Sequence, residues 1–247
     1  MKIYFASDQH FGAPTFDKSK QRERLFINWL DEIKEDATQL FLLGDLFDFW
    51  FEYKKVVPKG FVRVLGKIAE LQDRGIKIHF FVGNHDLWMK DYFIKELEIK
   101  VYHQPTKFTF NQQTFLIGHG DGLGPGDKGY KFMRKIFTNP ITNWFFKWFH
   151  PDLGMGLAQY LSLKNKYISG DNDLKYLGDD KEDLVLFCKE MYQKEKYNYF
   201  VFGHRHLPLE IPIAKDALYI NTGDWVSYFT YVVFDGNKTE LKNYKQL

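Results

Sequence analysis

Five short apolar runs in this chain each stop at a block of glycine, carboxylate, amide and imidazole side chains. Lys2–Ser7 runs into Asp8-Gln9-His10, Gln39–Leu43 into Gly44-Asp45, and Ile76–Val82 into Gly83-Asn84-His85-Asp86. Thr114–Ile117 runs into Gly118-His119-Gly120-Asp121, and Tyr199–Phe202 into Gly203-His204-Arg205-His206. Apolar runs this short, bounded by glycine, read as strands buried on both faces. Such strands need cover on each side, so the chain is read as α/β, with polar groups gathered at strand ends.

The segments between the runs supply the cover. Ser19–Glu35 places Leu25, Trp29, Leu30 and Ile33 at helical spacing, and Gly60–Arg74 does the same with Val64, Leu65, Ile68 and Leu71 before a stop at Gly75. The order β-α-β-α-β predicts a mostly parallel sheet. Lys107–Phe110 and Thr114–Ile117 flank a polar turn and read as a hairpin. Asp180–Lys194 reads as a helix, and Ala217–Asn221, Phe229–Phe234 and Thr239–Tyr244 as closing strands, with Asp235-Gly236 as a hairpin turn. The 247 residues fit a single domain over 1–247. Residues 130–169 differ in composition. Phe132, Ile136, Phe137, Trp144, Phe145, Phe146, Trp148 and Phe149 alternate there with Lys131, Arg134, Lys135 and Lys147. Helices are expected at Tyr130–Phe137, Ile141–Phe149 and Leu157–Lys166, as an insertion within the domain.

Charge and cysteine content exclude several classes. With 34 basic and 32 acidic residues the net charge is +2, which gives no broad basic surface for nucleic acid. Cys188 is the one cysteine, so no intrachain disulfide forms, in keeping with a cytoplasmic protein. The apolar start at Met1–Ser7 is too short for a signal peptide, and no run reaches the ~18 apolar residues of a membrane-spanning helix.

The blocks themselves point to metal. Carboxylate oxygen, amide oxygen and imidazole nitrogen together suit borderline divalent cations. Asp8 and His10 stand one residue apart, a spacing that puts both on one face of an extended strand, and His204 and His206 repeat it. Asp45, short and preceded by glycine, suits a bridging carboxylate. Asn84 adds an amide oxygen and His119 another imidazole. Alone, each block is more often a turn or a polar surface pair. Five in series, each ending a strand, favour one shared site. His79, His103 and His150 lack this setting and read as structural or surface residues.

In these blocks the chain resembles the calcineurin-like metallophosphoesterase superfamily, with its signature D-x-H, G-D, G-N-H-[DE], G-H and G-H-x-H. The resemblance implies a four-layer α/β sandwich, two mixed β-sheets flanked by helices, with a helical cap insertion. It implies two divalent metal ions, manganese first, with iron or zinc as alternatives. Asp8, His10 and His206 would hold one, Asn84, His119 and His204 the other, and Asp45 would bridge. A metal pair stabilises charge on phosphoryl oxygens and lowers the pKa of water. Asn84, His85 and Asp86 would be catalytic, with His85 near the leaving group and Asp86 fixing its tautomer. The basic aromatic insertion is further similar to that of UDP-2,3-diacylglucosamine diphosphatases, although His85 stands where those enzymes typically carry arginine. That likeness implies an acylated nucleotide-sugar substrate contacted by Tyr130, Arg134, Ser162, Asn165 and Lys166, with the Phe and Trp residues lining a hydrophobic slot. It also implies peripheral attachment to the cytoplasmic face of the inner membrane. The alternatives are a phosphoesterase of another substrate and a scaffold of the same fold without catalysis.

Overall fold

The computed structural model describes residues 1–126, 128–157, 160 and 175–244. The first sheet holds β1 (Lys2–Ala6), β2 (Ala37–Leu42), β3 (Lys77–Phe81), β4 (Lys100–Tyr102), β10 (Thr230–Phe234) and β11 (Thr239–Asn243). Its order is β11-β10-β1-β2-β3-β4, and β1 through β4 run parallel. The second sheet holds β5 (Thr106–Phe110), β6 (Gln113–Ile117), β7 (Tyr199–Phe202), β8 (Pro208–Ala214) and β9 (Ala217–Thr222), in the order β5-β6-β7-β9-β8. Here β6, β7 and β9 run parallel, and β5 forms the expected antiparallel hairpin with β6.

Alternation along each strand sorts the core into three apolar layers. Ile3 and Phe5, Phe41 and Leu43, Phe115 and Ile117, Val201 and Ile220 point between the sheets. Tyr4, Ala6, Leu40, Leu42, Ile78 and Phe80 point the other way, onto α1 (Phe16–Ile33), α2 (Val62–Asp73) and the short α3 (Tyr92–Glu96). Leu116, Phe200, Phe202 and Tyr219 point outward from the second sheet onto Leu184, Val185 and Cys188 of α6 (Asp183–Lys194). The result is helix, sheet, sheet, helix, as the sequence implied.

Two buried charges on α1 do more than pack. Thr15 caps the helix by accepting the Lys18 amide. The Arg22 guanidinium donates to the carbonyls of Gln9 (2.8 Å), His10 (2.6 Å) and Ala13 (2.7 Å), so it clamps the loop after β1. Glu23 accepts the Val64 amide and thereby caps α2, which has no side-chain cap of its own. Trp29 and Phe26 pack on Trp225 at 5.0 and 4.7 Å between ring centroids. Truncating a buried tryptophan of this kind costs about 3–5 kcal/mol.

Within the segment read as an insertion lie the helices α4 (Lys128–Phe137) and α5 (Pro140–Phe146) and the helical residues 151–157, while the helix expected at Leu157–Lys166 falls almost entirely outside the described residues. The aromatic slot is not formed there among the described residues. Phe132, Ile136, Trp144, Phe145, Trp148 and Phe149 are exposed, Trp148 by 74%. Only Phe137 and Phe146 turn inward, onto Trp88. The reason is that Lys131 and Arg134, on the other side of α4, face the core.

His79, at the half-buried face of β3, lies flat on Phe41 with 4.3 Å between ring centres and bonds to Tyr102 Oη and Gln39 Oε1. Burial, with Lys77 and Lys100 nearby, lowers its pKa from 6.5 to about 4. As pH falls below 6.5 the unfolded chain takes up this proton before the folded one, so stability is lost between 6.5 and about 4 and no further below. His79→Gln is expected to flatten that part of the curve, read as the difference in denaturation midpoint between pH 7 and pH 4.5 for the two proteins.

Candidate metal centre

Each polar block begins just past the carboxyl end of a parallel strand: β1, β2 and β3 in one sheet, β6 and β7 in the other. Ligand sites in open α/β sheets form at such ends. The loops are laced together sideways. Asp8 N donates to Gly44 O (3.1 Å), His10 N to Asp45 O (2.9 Å) and Gly203 N to His119 O (2.9 Å). Gly44, Gly83 and Gly203 permit this approach. A Cβ on Gly44 would lie 2.7 Å from Gly83 N, and one on Gly203 would collide with Ser7 Oγ and Asp8 Oδ2.

Asp8, His10, Asp45, His204 and His206 all have positive φ, between 45° and 70°. The expectation that Asp-x-His uses strand alternation is therefore corrected. Both pairs lie beyond their strands, on left-handed backbone that turns both members of each pair inward.

The seven side chains converge. His10 Nε2 and His206 Nε2 are 3.2 Å apart, and Asp8 Oδ1 lies 3.4 Å from the latter. On the other side, Asn84 Oδ1 lies 3.1 Å from His119 Nε2 and 3.0 Å from His204 Nδ1. Asp45 Oδ2 sits between, 3.6 Å from both His10 Nε2 and His119 Nε2. Donor atoms about 3.0–3.4 Å apart are what two ligands show when each is about 2.1 Å from one cation. Asp8 Oδ1 is fully buried and accepts no hydrogen bond, while Oδ2 of the same carboxylate accepts from His204 N and Ser7 Oγ. An orphaned carboxylate oxygen facing imidazole nitrogens fits a cation, and these residues could hold two.

The outer nitrogens are anchored, which fixes how each ring presents itself. His119 Nδ1 bonds to Leu43 O at 2.7 Å, and His206 Nδ1 to Asp224 Oδ2 at 3.1 Å. Asp48 Oδ1 lies 3.3 Å from His10 Nδ1. Burial opposes charge on His119, but Asp45, Asp8, Asp121 and Asp86 outweigh it and raise its pKa to about 9. Burial, with charged His119 beside it, drops His204 to about 3. The carboxylates thus draw positive charge into the cluster, and a divalent cation answers the same demand with both imidazoles neutral.

Asp86 corrects the expected role beside His85. It is wholly buried, and its oxygens accept the amides of Gly83 (2.6 Å) and Leu46 (3.1 Å). Burial and the Asp45 carboxylate push its pKa up to about 8. It ties two loops together, while His85 Nδ1 bonds to the Asp48 carbonyl at 2.8 Å. A ring nitrogen of His85 still lies within 4.8 Å of donor atoms of His10 and Asp45.

Tyr130 Oη donates to Asp121 Oδ2 at 2.5 Å, and Arg134 Nε lies 3.4 Å from the same oxygen. Both therefore lie at the edge of the cluster. Ser162, Asn165 and Lys166 lie outside the described residues. Asp224, Asp48 and Arg22 were not anticipated. Asp224 had a signal: Gly223-Asp224 ends β9 as Gly44-Asp45 ends β2.

A buried cluster of oxygen and nitrogen donors at the carboxyl ends of two sheets defines a metal-dependent hydrolase, and residues 1–208 match the calcineurin-like phosphoesterase family. The chain belongs to that family and hydrolyses phosphoester bonds. It is 36% identical over 261 aligned residues to the UDP-2,3-diacylglucosamine hydrolase of Porphyromonas gingivalis, covering 100% of this chain and 98% of that one. The enzyme of the same name from Shewanella baltica is 25% identical over 225 residues, covering 91% and 90%. Among solved structures, the phosphoesterase Yfce from E. coli aligns over 97% of this chain and 91% of that one, at a TM-score of 0.48 and 16% identity.

Asp224→Asn is expected to weaken divalent-cation binding about 10–100-fold by loosening His206, with the fold retained. Calorimetric titration of metal-stripped protein with Mn²⁺ measures it.

Proposed function

We propose that this chain hydrolyses the diphosphate of UDP-2,3-diacylglucosamine, giving UMP and 2,3-diacylglucosamine 1-phosphate in lipid A synthesis. The observation that carries the substrate is the 36% identity spread over the whole of both chains to the Porphyromonas gingivalis hydrolase. The chemistry is supported by the placement of Asp45 Oδ2 midway between His10 and His119. Asp8, His10 and His206 would hold one divalent cation and Asn84, His119 and His204 a second, with Asp45 placed to serve both; manganese is the proposed ion, ahead of iron or zinc. The bound pair would supply Lewis acidity and water of lowered pKa.

The chain's own groups do the rest. Water adds to one phosphorus of the diphosphate and the bridging P–O bond breaks, so each product keeps one phosphate. His85, held by the Asp48 carbonyl, presents its ring to the phosphoryl oxygens and meets the charge that develops as that bond breaks. The described helices within residues 128–157 would cap the site, with Tyr130 and Arg134 on the substrate. No described helix is long and apolar enough to cross a membrane. The exposed Phe132, Trp144, Phe145, Trp148 and Phe149, interleaved with lysines, support peripheral attachment to the cytoplasmic face of the inner membrane.

With Mn²⁺ the purified protein is expected to release UMP from UDP-2,3-diacylglucosamine far faster than it cleaves an aryl phosphodiester. The reverse ranking would remove the substrate assignment. Asp45→Ala is expected to lower kcat by roughly a thousandfold or more, with loss of bound metal. His85→Ala is expected to lower it by about 10²–10⁴ with metal content unchanged. Metal analysis beside the rate assay separates the two.

A further inference from the structure

The helix α4 turns Tyr130 and Phe137 inward but leaves most of its other apolar residues outside. Its apolar residues Phe132, Met133 and Ile136 are exposed, by 66%, 43% and 42%, while Lys131 and Arg134 are turned toward the core. An amphipathic helix in water normally does the opposite. What the basic face looks onto is a cavity of about 700 Å³. Its floor is His119 and the loop Gly120-Asp121-Gly122 after β6, and its far wall is His103-Gln104-Pro105 between β4 and β5. Lys131, Arg134 and Lys135 close it from α4, and Phe81, Val82 and Leu87 supply apolar wall. The cavity is thus continuous with one side of the metal cluster through His119.

We infer that this cavity is the subsite for the nucleotide half of the substrate, with the acylated half on the other side of the metals. The inference rests on the proposed substrate and goes beyond it by dividing the two halves. Three cations on one wall and one nearby carboxylate, Asp121, suit an anionic ligand. Asp121 is already engaged by Tyr130 and Arg134, and Lys131 Nζ donates to Gly124 O. Arg134 is held in place by that carboxylate and reaches the Asp121 and His103 carbonyls, so its guanidinium is oriented before any ligand arrives. A volume of about 700 Å³ is ample for a nucleoside monophosphate, within the usual range of ligand pockets. Gln104 and the His103 ring offer hydrogen-bonding groups to a base, and Pro105, Leu87 and Phe81 a flat apolar surface. Acyl chains would meet the wrong wall here: burying methylenes against three ammonium and guanidinium groups desolvates charge without pairing it.

Product inhibition of the manganese-loaded, full-length protein tests the division, because UMP and 2,3-diacylglucosamine 1-phosphate each occupy one half. Lys131→Gln and Lys135→Gln, singly and together, are expected to raise the inhibition constant for UMP tenfold or more in the double variant. The constant for the acylated sugar phosphate should stay within twofold. Lys135 is exposed, so its variant keeps the fold, which circular dichroism verifies. A rise for the acylated product with UMP unmoved would overturn the inference, and so would no change in either. Wild-type protein that cleaves UDP-2,3-diacylglucosamine normally while failing this test loses only the subsite. Wild-type protein that does not cleave it loses the substrate reading, and the subsite with it.

Discussion

The site depends on loops that continue the lateral hydrogen bonding of the sheets after the strands have ended. Asp8 N to Gly44 O and His10 N to Asp45 O extend the β1–β2 pairing past Ala6 and Leu42. Gly203 N to His119 O does the same for β6 and β7. Five candidate ligands ride on this lacing with positive φ, a conformation that costs of order 1–3 kcal/mol for each residue without glycine's freedom. Strain of that size persists only where the surroundings over-determine it. Arg22 clamps three carbonyls of the first loop, Asp86 bonds two amides across the second and third, and Trp225 N holds the Asp8 carbonyl. These candidate ligands are fixed because the hydrogen bonds around them leave their backbones little room to relax.

Beneath those loops the inter-sheet layer is hydrocarbon. Phe5 stacks on Phe41 and Phe115, and Phe110 packs on Phe115 and Phe234. A dry floor under a cluster of carboxylates has an electrostatic consequence: charge is poorly screened, and each buried carboxylate must find a donor or a cation. Asp224 finds the amides of Val226, Ser227 and Tyr228 together with His206. Asp86 finds two amides. Asp8 Oδ1 finds no donor. The unmet demand is concentrated where the imidazole nitrogens point, which is why metal and fold belong to one account.

Much of this was legible in the residues, and the failures have physical causes. The buried strands announced themselves because parallel strands covered on both faces have no polar alternation to hide them. The edge strand β8, Pro208–Ala214, did not: two prolines spoil its pattern, and an edge position with a register irregularity near Pro212 is where proline is tolerated. The three residues of β4 and the five of α3 are too short to carry a period. Asp8, His10, His204 and His206 come together for a reason other than the one the spacing suggests, since left-handed turns and not strand alternation bring them to one place. Asp86 was misread because adjacency in sequence stood in for adjacency in space. Arg22 could not be found at all: one arginine on a helix looks like a surface charge until the loop that folds over it is known.

The insertion obeys a different logic from the rest of the chain. Elsewhere apolar faces are buried and helices dock by hydrophobic contact. The helix α4 instead docks through Tyr130, Lys131 and Arg134 onto Asp121 and the Gly124 carbonyl, with Trp88 Nε1 donating to Phe137 O at its far end. The apolar surface left outside costs about 25 cal/mol for each Å² that stays wet, so an inverted helix is not where hydrophobic packing alone would settle. What holds it, beside the packing of Phe137 and Phe146 on Trp88, is the charge at the rim of the polar cluster. Asp121 follows His119 by two residues on the same loop, so whatever fixes the electrostatics at His119 also fixes the anchor of α4. Helix, cavity and polar cluster are in that sense one electrostatic unit, with the greasy surface displayed on its outer side.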